Sequence, residues 1–154
     1  MPSKRLTGTV RDLDYMPDKT WCQVLIGDAP PSRTADVRLL RVLRAAMFRG
    51  TAVTVTFGDD NPAIIEDVTI AKEAAGDDRN DVDAPWGTVL SLTVDSRSRK
   101  AEARVMLDKP KTLHSNADRV LFLLTAAFEH SFPLDGNSSF SDQGEILRVK
   151  LNKV

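Results

Sequence analysis

The chain reads as an α+β protein, mainly β, in which one β-β-α-β-β unit occurs twice, forming two small sheets or partly open barrels with one helix each. Three observations carry this reading. Gly8-Thr9-Val10 recurs as Gly87-Thr88-Val89. Residues 22 to 70 lie over residues 103 to 151 at a constant offset of 81, without a gap. Strand, proline break and helix signals then follow in the same order in both halves.

The matches fall where a core belongs. Val24 meets Val105, Ile26 meets Leu107, Leu40 meets Leu121, Leu43 meets Leu124, Ala45-Ala46 meets Ala126-Ala127, Ile65 meets Ile146 and Val68 meets Val149. Arg38 over Arg119 is the polar exception. Identities number eight of 49 positions, a level that two similar apolar patterns can also share. The glycine motifs are offset by 79, so a two-residue difference is expected between Gly8 and Cys22, where Tyr15-Met16-Pro17-Asp18-Lys19 opposes Asp95 to Lys100. Length changes belong in such turns. The predicted boundaries are residues 1 to 71 and 86 to 154, joined by an acidic linker over residues 72 to 85, KEAAGDDRNDVDAP.

Each element has a local reason. Residues 5 to 14 and 86 to 94 alternate apolar and polar positions and predict strands. Trp21 to Ile26 and Ala101 to Leu107 predict the second strand of a half-buried hairpin. Asp28-Ala29-Pro30-Pro31 and Asp108-Lys109-Pro110 break the chain, because proline has no amide to donate to a central strand. Thr34 and Ser115 are candidate N-caps, with Asp36 and Asp118 favouring the positive helix end. Leu39, Leu40, Val42, Leu43, Ala46 and Met47 then recur at helical spacing up to Gly50, a candidate left-handed cap. Val120, Leu121, Leu123, Leu124, Ala127 and Phe128 do the same in the second half. Residues 51 to 57 and 64 to 70 close the first unit, and residues 132 to 134 and 146 to 151 the second, where Asp135-Gly136-Asn137-Ser138-Ser139 weakens the third strand.

A unit of roughly 70 residues buries only about 60% of its unfolded surface, so the copies are expected to share an interface as a pseudo-twofold pair. A helix placed before the last two strands resembles OB-fold layouts, including the receptor-binding subunits of bacterial pentameric toxins. That resemblance covers element order.

The chain has 154 residues, 21 Lys plus Arg against 22 Asp plus Glu, and a formal charge of -1, which excludes a bulk electrostatic drive towards nucleic acid or acidic membranes. The average conceals an uneven division. Residues 1 to 71 carry nine bases and nine acids, the linker two and five, and residues 86 to 154 ten and eight. One cysteine, Cys22, cannot form an internal disulfide, and no apolar leader or long apolar run is evident, so a cytoplasmic protein without membrane contact is expected.

Catalytic and metal signatures are weak. His114 and His130 stand sixteen apart at opposite ends of the second helical segment, and with Cys22 in the other half no zinc spacing results. Ser138, Ser139 and Ser141 lie in a polar loop without a glycine elbow. Asp59-Asp60, Asp77-Asp78, Asp142 and Glu145 lack the order of a calcium loop. Neither a metal nor a cofactor is expected. The leading polar feature is a stripe of Arg38, Arg41, Arg44 and Arg49 within about 140° of the first helix, of which the second helix keeps Arg119. Trp21 and Trp86, amphipathic aromatics suited to interfaces, complete the candidate binding residues. The favoured function is a non-enzymatic binding or assembly module that associates with a protein partner or with itself. An OB-like nucleic-acid or nucleotide binder using the arginine face is the alternative, and a small hydrolase-type enzyme at His114 or His130 the third.

Overall fold

The computed structural model describes residues 4–15, 18–58, 64–71 and 84–151, so most of the expected linker lies outside the described residues. The first half runs β1 (Arg5–Tyr15), β2 (Cys22–Ile26), β3 (Ser32–Thr34), α1 (Val37–Arg49), β4 (Ala52–Phe57) and β5 (Ile65–Ala71). The second runs β6 (Val89–Asp95), β7 (Ala101–Met106), β8 (Pro110–Ser115), α2 (Asp118–His130), β9 (Ser139–Phe140) and β10 (Ile146–Arg148). The mainly β composition with two helices is as expected, but the halves do not form one small sheet each. Strands β1 to β8 form one antiparallel sheet in the order β3-β2-β1-β4-β5-β6-β7-β8, and it does not close into a barrel. β9 and β10 make a separate hairpin. The halves merge because β5 pairs with β6, from Asp67 opposite Asp95 to Ala71 opposite Ser91. Two edges that would each stand unpaired satisfy one another.

Each half also holds a strand beyond the expected four. After Pro30-Pro31 the chain re-enters the sheet as β3, and Pro110 itself opens β8. Both strands are sheet edges, the place where a residue without an amide proton is tolerated.

The pairing registers of the two halves coincide. A bulge interrupts β1 between Val10 and Asp12, and another interrupts β6 between Val89 and Ser91, 79 positions on. Tyr15 opposes Cys22 as Val94 opposes Ala101. Beyond the second strand the shift is 81: Arg33 bridges Ile64 in parallel as His114 bridges Glu145, and Val53 opposes Ile70 as Leu134 opposes Leu151. The two-residue difference therefore lies in the β2–β3 connection and not before Cys22. The β7–β8 hairpin gains the pairs Val105–Lys111 and Met106–Pro110. Val24 is thus the counterpart of Ala103, and Ile26 of Val105. The sequence alignment misses this because a slip of two along a strand returns every side chain to the same face.

Both helices cover one face of the sheet. α1 packs on β1, β5 and β6, α2 packs on β6, and the helices pack on each other. The core beneath them is continuous across the halves, with Val24, Leu39, Val53, Val68, Leu92, Val105, Leu124 and Phe128 fully buried. Met47 departs from the apolar stripe expected for α1 and is exposed. The caps lie two residues beyond those expected. Asp36, not Thr34, caps α1 by accepting the Arg38 amide at 2.9 Å, while Thr34 Oγ1 accepts the Asp36 amide at 3.1 Å. Ser115 Oγ accepts the Ala117 amide at 3.1 Å, and Ala117 occupies the α2 N-cap without a side-chain bond. Gly50 ends α1 at φ 69°, in the left-handed conformation that glycine adopts without strain. Among the described residues, no helix is long and apolar enough to cross a membrane.

Candidate functional site

The arginine stripe of α1 faces α2. Arg38 is buried, and its Nε lies 3.2 Å from Asp118 Oδ1 in the first turn of α2. Arg41 stacks on the Phe122 ring at 5.1 Å. Arg44 reaches Glu129 Oε1 at 3.7 Å, where an exposed cation meets a buried anion. Arg49 donates to the Phe128 carbonyl at 3.4 Å and to Ser131 Oγ, and lies over the Phe128 ring. First turn meets first turn and last meets last, so the helices run parallel. Arg119 stays exposed on α2.

The tryptophans separate. Trp21 precedes β2 and is half-buried beneath the Arg33 guanidinium, 5.2 Å from the ring centroid, against a shallow recess of about 260 Å³ that Gln23 and Pro31 help to line. Trp86 precedes β6 and is 41% exposed. His114 lies on β8 opposite Glu102, whereas His130 ends α2 between the rings of Phe48 and Phe132, at 5.4 and 5.5 Å. Ser138 Oγ accepts the Lys150 amide at 3.0 Å and so has a structural partner. Asp59-Asp60 and Asp77-Asp78 lie outside the described residues. Among those described, no group of three His, Cys, Asp or Glu is placed to hold a metal ion. Burial pushes the Cys22 thiol above its ordinary value, with Asp14 and Asp12 adding to the effect and a backbone hydrogen bond at Asp14 opposing it. A thiol held protonated is a poor nucleophile.

A feature that sequence reading missed lies on the helix-free face. The registers align Thr7, Thr54, Thr69, Thr93 and Glu102 in one row across five strands. Thr7 and Thr54 hydroxyls meet at 3.1 Å, and Thr69 and Thr93 at 3.0 Å. The row floors an open groove of about 660 Å³ with Arg5 and Lys100 among its cations and Asp67 and Asp95 among its anions. Hydroxyls that donate and accept, with charges of both signs, suit hydrogen bonding to a polar surface and produce no one-signed field. Alternation in residues 52 to 57 marks Thr54 and Thr56 as outward, but only the cross-strand register reveals a row.

Two further surfaces are exposed. Val37, Met47 and Phe48 on α1 and Phe122 on α2 are 59%, 44%, 65% and 52% exposed. At the sheet, β1 pairs with β4 only as far as Thr9 and with β2 from Val10 to Tyr15, so among the described residues each stretch has one flank outside the ladder.

Comparison with protein-family models, with curated proteins and with solved structures finds no match to this chain.

Proposed function

We propose that the chain is a non-enzymatic binding and assembly module, made by duplication of one OB-like unit, which associates through protein–protein contacts with a partner or with itself. The observation that carries this reading is the junction between the halves. There β5 meets β6 and α1 meets α2, burying Val68, Ile70, Leu92, Val94 and Phe128. A surface that joins one unit to the next is the working part of an assembly module. The duplication is supported by the coincident bulges and bridges. The OB-like character is supported by the two parallel bridges, Arg33–Ile64 and His114–Glu145, which draw the third strand of each unit towards its last. The exposed groups on the helices, Phe, Met and Arg above all, match the composition of interface cores. Sedimentation equilibrium across a hundredfold concentration range, paired with affinity capture, tests this reading. A mass above that of one chain, or a stoichiometric partner, is the expected result; the mass of one chain throughout, with no partner captured, contradicts it.

One observation favours nucleic-acid binding as a second reading. Trp21, just before β2, lying under Arg33 of β3 offers a platform of the kind that holds single-stranded bases in OB folds. The helix arginines do not add to it, since they contact α2. Anisotropy of a labelled oligonucleotide at rising salt separates the readings, because a binder loses affinity steeply and an assembly module shows none to lose.

A further inference from the structure

We infer that copies of this chain add head to tail, repeating between molecules the junction that joins the halves within one. The inference rests on the assembly reading and names its partner as a second copy. Inside the chain, Val68, Thr69 and Ile70 of β5 oppose Val94, Thr93 and Leu92 of β6. The bulges relate β1 to β6 by 79 positions, and the bridges relate the last strands by 81. Transposed by these shifts, the same register sets Val149, Lys150 and Leu151 of one copy opposite Tyr15, Asp14 and Leu13 of the next.

Among the described residues, each partner segment has a flank to offer. Leu13, Asp14 and Tyr15 pair with β2 on one side and lie beyond the reach of β4 on the other. Past β10, Lys150 turns its carbonyl to the Asp135 amide at 2.7 Å and its own amide to Ser138 Oγ at 3.0 Å. Alternation then directs the backbone groups of Val149 and Leu151 to the opposite, outer flank. Lys150 and Asp14 become a non-hydrogen-bonded pair, the kind whose side chains stand closest, with opposite charges in contact. The wider charge pattern agrees: Asp12 and Asp14 are exposed on β1, and Arg148 and Lys150 are exposed at β10. On the other face of each strand, Leu13 meets Leu151 and Tyr15 meets Val149, apolar against apolar.

The helices carry the same signature. On α2, Phe128 and Glu129 are buried and are met by Arg49 and Arg44 of α1. Of their counterparts 81 positions earlier, Met47 is 44% exposed on α1 and Phe48 is 65% exposed, touching the His130 ring. Conversely, Arg38 is buried against Asp118 of α2, while its counterpart Arg119 is exposed. One end of the molecule thus presents the surface that the other end accepts. Such a contact is heterologous and extends into a ring or an open chain.

The full chain carrying Asp14→Cys and Lys150→Cys on a Cys22→Ala background tests this directly. The opposed Cα atoms of an antiparallel pair fall within disulfide reach. Mild oxidation is expected to give a ladder of linked multiples on a non-reducing gel, whereas either single cysteine variant stops at dimer. A double variant that stays monomeric, or gives only the dimer of the single variants, overturns the inference. If the uncrosslinked chain still sediments above the mass of one chain, the assembly reading survives with another surface; if it is monomeric and captures no partner, both fall.

Discussion

Leu134 donates its amide to the Gly87 carbonyl at 2.8 Å, which places a strand-like segment of the second half against the start of β6, as Val53 of β4 pairs with Gly8 in the first half. Gly87 has φ 88°, and a Cβ there would come within 2.8 Å of the Leu134 amide nitrogen and closer still to its carbonyl oxygen. Backbone cannot yield as a flexible side chain can. Gly87→Ala is therefore expected to cost more than about 2 kcal/mol, the sum of left-handed strain and overpacking. Gly8→Ala meets one tight neighbour, Ile26 Cγ2 at 3.1 Å, with Gly27 backbone at ordinary contact distance, and should cost under about 1 kcal/mol. Urea unfolding of both variants checks the order; equal losses would contradict it.

Arg38 sets a second expectation. Its side chain is 9% exposed beside an Asp118 that is 71% exposed, and its guanidinium nitrogens have no hydrogen-bond partner among the described residues. Desolvation of the cation is thus incompletely compensated. Arg38→Met keeps the stem and removes the charge, so stability should hold or rise, whereas Asp118→Ala strips the buried cation of its counter-ion and should lose about 1–3 kcal/mol. Thermal melts of the two variants decide it, and a larger loss for Arg38→Met would refute the assignment.

Cys22 makes stability depend on alkaline pH. Its folded-state pKa is raised above 9.0, so the unfolded chain releases the proton first. The contribution is constant below that value and is lost as pH climbs through it, because deprotonation then favours the unfolded state. The stability difference between the native chain and Cys22→Ala should be flat from pH 6 to about 8 and shrink above 9.0. Urea midpoints from pH 6 to 10 measure this, and a flat difference throughout would disprove it.

Much of this fold was legible in the sequence where the signal is local. The left-handed Gly50 cap, the apolar stripes of both helices and the strands β1, β2, β4, β5, β6 and β7 follow from spacing alone. β3 and β8 were not legible. Three residues after Pro30-Pro31 carry too little alternation and are held by pairing with β2, and Pro110 reads as a break until β7 stands beside it. Nor was the shift of 79 through β7, because alternation is blind to a slip of two. The arginine stripe was seen, but a helical wheel shows only which residues share a face. That Asp118, Phe122 and Glu129 stand opposite them is a fact of tertiary packing. The union of two expected sheets into one likewise depends on β5 meeting β6, a contact between segments that the linker separates.

The most direct test of head-to-tail assembly is a charge-exchange mixing experiment read by sedimentation equilibrium. Asp14→Lys alone sets a lysine against Lys150 of the next copy, and Lys150→Asp alone sets an aspartate against Asp14, so each variant is expected to sediment near the mass of one chain. Mixed in equal amounts, each variant offers the other the opposite charge at both ends, and the mass should return to that of the native assembly. A mixture that stays near the mass of one chain while the native protein associates would contradict the pairing of Lys150 with Asp14, and with it the repeated junction.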